Sequence, residues 1–92
     1  MNTEFYIEKL IKYLENDYIV KSFDKNEYII LNVYMNIKYD TYFINEKIKK
    51  QFPTLDIEYH IPSIIIKDNK KYNVDEDVIP DGVSFITLKV YK

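Results

Sequence analysis

Between Tyr28 and Tyr39 apolar side chains recur on every second residue, which commits this stretch to an extended strand with two unlike faces. Ile29, Leu31, Val33, Met35, Ile37 and Tyr39 form one face; Tyr28, Ile30, Asn32, Tyr34, Asn36 and Lys38 form the other. The first face belongs against a core and the second is mixed. A strand this long, at about 3.3 Å per residue, would run roughly 40 Å, beyond the usual strand of about 5–6 residues and beyond what one small domain covers. It is expected to bend at a bulge, to break near Met35-Asn36, or to project and pair with another chain.

The rest of the chain supplies the elements that such a strand needs around it. Ile7, Leu10, Ile11 and Leu14 fall on one helical face between Thr3 and Asn16, Glu8 precedes Lys12 by one turn, and Thr3 is placed to cap. Tyr18 to Phe23 is β-prone and ends in the turn-forming Asp24-Lys25-Asn26, so a hairpin leads into the long strand. Asp40 or Thr41 opens a second helix reaching Phe52, with Ile44, Ile48 and Phe52 on one side. Lys47, Lys49 and Lys50 lie near its end, where they complement the helix dipole, and Pro53 stops it. Leu55 to Ile61 alternates as a strand whose polar side is Asp56, Glu58 and His60. Ser63 to Lys67 and Lys71 to Val74 flank Asp68-Asn69-Lys70 as a second hairpin, and the continuous Ile64-Ile65-Ile66 predicts burial on both faces. An acidic loop, Asp75 to Gly82, carries Pro80-Asp81 and the single glycine before a last strand, Val83 to Tyr91.

The expected fold is α+β, one domain spanning 1–92 in the order α-β-β-α-β-β-β-β. Two amphipathic helices are expected on one face of a mostly antiparallel sheet of about five or six strands.

Several chemistries are closed to this composition. Without cysteine there is no disulfide, thiolate metal site or thiol nucleophile. One glycine leaves no phosphate-cradling loop. The only histidine, His60, lies beside Glu58 and Asp56, which reads as an exposed strand histidine among acids, without the converging ligands of a metal or acid–base site. From Asp75 the spacing fails the calcium-loop pattern, with Ile79, Pro80 and Ile86 where an oxygen ligand, a glycine and a bidentate Glu belong. No catalytic residue, metal or cofactor is assigned. A chain with no arginine and a formal charge of -2 lacks both bidentate phosphate recognition and long-range attraction to nucleic acid. The N-terminal residues lack a signal-peptide pattern, and no apolar run is long enough for a membrane helix, so a cytoplasmic location is expected.

Ile, Lys, Asn and Tyr are abundant and Ala and Arg absent, the imprint of an AT-rich genome such as that of a low-GC bacterium, its phages or plasmids, or an archaeal virus. The run Ile11-Lys12 through Asp17-Tyr18-Ile19-Val20-Lys21, a helix delivering into a strand, resembles the start of small acidic phage anti-CRISPR proteins. The likeness is confined to this N-terminal stretch, and the acidic C-terminal helix of that group has no counterpart here. The reading that remains is a non-enzymatic protein-binding module, an acidic inhibitor or accessory protein of a mobile element. Its expected contact residues are Tyr28, Tyr34 and Lys38 on the long strand and Asp75, Glu76, Asp77 and Asp81 in the acidic turn. The rival readings are a homodimer formed by strand edge pairing and a single-strand nucleic-acid binder using Tyr28 and Tyr34.

Overall fold

In the computed structural model, which describes residues 3–34, 40–73, 76–77 and 84–92, the first helix, α1 (Thr3–Glu15), buries Ile7, Leu10 and Leu14 and turns its charged residues outward. The Tyr18 and Asp17 N–H groups donate to the Leu14 carbonyl at 2.9 and 3.2 Å, which closes the helix and starts β1 (Ile19–Asp24). Asn26, at φ 73°, turns the chain into β2 (Tyr28–Tyr34); its N–H is held by the Asp24 carboxylate at 2.8 Å. The second helix, α2 (Asp40–Gln51), buries Ile44 and Ile48. It ends where the Phe52 N–H donates to the Ile48 carbonyl and Pro53 can donate nothing. Then follow β3 (Ile57–His60), β4 (Ile64–Lys67), β5 (Lys70–Asn73) and β6 (Ser84–Tyr91).

The six strands divide between two antiparallel sheets. Four form a sheet in the order β1-β2-β6-β3, and β4 and β5 form a separate hairpin. The registers Ile29↔Val90, Leu31↔Leu88 and Val33↔Ile86 set the apolar side chains of the two central strands across from one another. With Ile7, Leu10 and Leu14 of α1 and Ile44 and Ile48 of α2 they make one core, so both helices cover the same sheet face. Leu10, Leu31, Val33, Ile48, Ile86, Leu88 and Val90 have no exposure at all. At about 1.5–3 kcal/mol for each such side chain, this layer dominates the stability.

The register between β2 and β6 shifts between Val33 and Tyr34, so an irregularity interrupts the ladder where the long alternation reaches its last described residue. The remainder of that alternation, from Met35 to Tyr39, lies outside the described residues. One expectation is overturned. Ile64-Ile65-Ile66 is buried on one face only: Ile65 enters the core, while Ile64 and Ile66 are 47% and 72% exposed. A two-stranded hairpin outside the main sheet has only one face to cover, so a continuous apolar run does not bury both sides.

Candidate functional site

Side chains alternate across the four-stranded sheet, and those facing away from the helices form an open face that no described element covers. It carries Ile19, Lys21 and Phe23 from β1; Tyr28, Ile30, Asn32 and Tyr34 from β2; Thr87, Lys89 and Tyr91 from β6; and Glu58 and His60 from β3. Its rows run across the strands as Lys21-Asn32-Thr87-His60 and Phe23-Ile30-Lys89-Glu58.

Tyr28 and Tyr91 are opposite one another with ring centres 6.2 Å apart. The Lys89 ammonium lies over both rings, at 4.3 and 5.1 Å from their centres. The Tyr91 hydroxyl donates to Glu58 at 2.6 Å, and His60 Nε2 lies 3.3 Å from the other Glu58 oxygen. These contacts set the ionisation of the cluster. The Tyr91 hydrogen bond, then that of His60, holds the Glu58 carboxyl below the ordinary range, and the Tyr91 oxygen raises the Lys89 ammonium above its ordinary value. At the other end Lys21 lies 5.3 Å from the Tyr34 ring centre, and in the middle the Thr87 hydroxyl donates to Asn32 Oδ1 at 2.9 Å. Ile19 and Phe23, 70% and 46% exposed, complete an apolar border along β1.

Tyr28 and Tyr34 therefore share one surface, as expected, six residues apart along β2 and so about 20 Å from end to end. Glu76 and Asp77, the described residues of the acidic turn, follow β5 rather than β2. The Asp77 carboxylate accepts the Asn73 N–H at 2.6 Å, and the Glu76 and Asp77 N–H groups donate to the Asn73 carbonyl, so the turn ties off β5 in the separate hairpin. Lys38, Asp75 and Asp81 lie outside the described residues. Lys89 and Tyr91 were missing from the expected contact residues. They stand on the outward-facing positions of the last strand, but only the Tyr28↔Tyr91 register shows that they adjoin Tyr28.

Glu58 and His60 are both exposed, and the hydroxyls that adjoin them, Tyr91 on Glu58 and Thr87 across from His60, are each engaged as hydrogen-bond donors, to Glu58 and to Asn32. Among the described residues no group of three or more His, Cys, Asp or Glu converges as metal ligands, and no helix is long and apolar enough to cross a membrane. A pocket of about 190 Å³ between the end of α1 and the start of α2 is lined by Tyr13, Asp17, Phe43 and Lys47. It falls short of the roughly 300–1,000 Å³ of small-molecule sites. The open face is where side-chain contacts build an extended arrangement. No protein-family model matches the sequence, and neither the curated proteins nor the solved structures yield a match.

Proposed function

We propose that the chain is a non-enzymatic protein-binding module whose contact surface is the open face of the four-stranded sheet. The observation that carries this reading is the Tyr28-Lys89-Tyr91-Glu58 cluster. It holds two tyrosine rings on rigid central strands, near the exposed Phe23, with the exposed Ile19 at the far end of the same face. Tyrosines fixed in this way lose little entropy on binding and are frequent anchors in protein interfaces. Polar Asn32, Thr87 and His60 supply hydrogen-bonding groups around them. The finer role, an acidic inhibitor or accessory protein of a mobile element from an AT-rich genome, is part of this proposal and rests on composition.

An affinity capture compares the wild type with a Phe23→Ser, Tyr28→Ala, Tyr91→Ala variant, which leaves every core residue in place. A protein retained by the wild type and lost by the variant is expected. Equal retention by both moves the contact surface elsewhere. Because two lysines and three tyrosines on one face could also stack single-stranded bases, oligonucleotide titration at low salt belongs to the same experiment. The net charge of -2 and the lack of arginine predict no binding there, and tight, salt-sensitive binding contradicts the protein-partner reading.

A further inference from the structure

We infer that β1 is the strand through which two copies of this chain join, antiparallel about a two-fold axis at Ser22, turning two four-stranded sheets into one continuous sheet. The inference does not depend on what the open face binds.

Two backbone bonds fix which way β1 points its polar groups. Lys25 N–H donates to the Tyr28 carbonyl at 2.9 Å, and Lys92 N–H donates to the Glu27 carbonyl at 3.1 Å. In an antiparallel ladder successive residues address opposite neighbours, so Tyr28, Ile30, Asn32 and Tyr34 address β1, while Glu27, Ile29, Leu31 and Val33 address β6. Their partners Ile19, Lys21 and Phe23 are accordingly turned to β2. Val20, Ser22 and Asp24 are left aiming N–H and C=O outward, along an edge without proline.

The opposite edge is guarded. β3 has only four residues, Pro62 follows it, and the Lys49 ammonium lies over the Tyr59 ring at 5.5 Å. On β1, by contrast, Ser22 and Asp24 project on the helix side yet are exposed, so α1 does not overhang the edge and a second strand can approach.

The sequence of β1 then selects the register. Only residues that both aim outward can exchange hydrogen bonds, and only a centre at Ser22 matches all three: Val20 with the partner's Asp24, Ser22 with the partner's Ser22, and Asp24 with the partner's Val20. On the open face that register sets each Lys21 opposite the partner's Phe23, a favourable cation–aromatic pairing made twice. A centre at Lys21 instead brings Lys21 against the partner's Lys21, like charges directly opposed, and leaves Asp24 unmatched. A six-residue edge buries far less than the roughly 1,200–2,000 Å² of stable complexes, so the dimer is weak and forms with rising concentration.

Sedimentation equilibrium from low micromolar to near-millimolar protein, with residue-resolved amide exchange at both ends of the range, tests this. Expected are a mass rising toward twice the monomer and several-fold slower exchange at Val20, Ser22 and Asp24 on concentrating. Ser22→Pro removes an outward N–H that β2 does not use, and proline is tolerated on an edge facing solvent. It should stay monomeric with an unchanged circular dichroism spectrum. If that variant fails to fold, the wild-type amide exchange decides alone. A wild type that stays monomeric throughout overturns the inference, including the case in which the edge serves an extended segment of another protein. A dimer that leaves these three amides unchanged, or that survives Ser22→Pro, overturns it as well.

Discussion

The Glu58 carboxyl accepts hydrogen bonds from Tyr91 and His60, both of which favour its ionised form, so its pKa in the folded chain lies below that of the unfolded chain. A depressed carboxyl contributes stability that is fully present above the unfolded value, about 4.3, and is lost as pH falls through the lower folded value. The Tyr91 ring resonances are therefore expected to titrate on the acid side of the ordinary glutamate range, and Glu58→Gln should flatten that titration. Tyr91 resonances that titrate identically in the variant would contradict the assignment. Asp24 and Lys92 form a second pair, at 2.9 Å, which lowers the Asp24 pKa and raises that of Lys92. The pair stabilises between the unfolded Asp and Lys values and weakens on both flanks, as pH falls through the lowered Asp24 pKa or rises through the raised Lys92 pKa. Asp24→Asn and Lys92→Met should each lower the thermal midpoint slightly at neutral pH, with the double variant little worse than either single one. Full additivity would show that the pair is not coupled.

Among the elements, the β4–β5 hairpin depends most on its turn. Asp68 and Asn69 have φ of 53° and 62°, the left-handed pair that a two-residue hairpin connection requires. Asn69→Val places a β-branched side chain where left-handed backbone costs about 1–2 kcal/mol, and Asn69→Gly removes that cost. Faster proteolysis within the hairpin is expected for the first variant and unchanged or slower cleavage for the second; equal rates would mean that the turn does not limit hairpin opening. Asp68-Asn69 was legible in the sequence because turn chemistry is local. The exposure of Ile64 and Ile66 was not, because an apolar run reads alike in a doubly covered strand and in a hairpin with one buried face. Both helices were legible for the same local reason: a 3.6-residue period names its own buried side, as at Ile7, Leu10 and Leu14.

For the whole molecule, periodicity identified the buried face of β2 and of β3 but not which strands are neighbours. Ile86, Leu88 and Val90 line the core side of β6, and their pairing with Val33, Leu31 and Ile29 joins distant parts of the chain. The Tyr28-Lys89-Tyr91-Glu58 cluster depends on that same long-range pairing, which is why Tyr28 and Tyr34 could be named from sequence and their companions could not. Leu88, unexposed and opposite both Leu31 and Tyr59, is where the two central strands and β3 share one core. Leu88→Ala should cost about 2–5 kcal/mol, a large share of what a small domain has, seen as a strongly lowered denaturation midpoint. The open face asks for the opposite behaviour, with variants that bind less and fold as well. A photoreactive benzoylphenylalanine placed in turn at Phe23 and Tyr28 on the open face, and at Glu8 and Lys12 on the outer side of α1, tests this directly in cell extract. The account predicts a discrete protein adduct from Phe23 and Tyr28 and none from Glu8 and Lys12; adducts from the helix positions alone would contradict it.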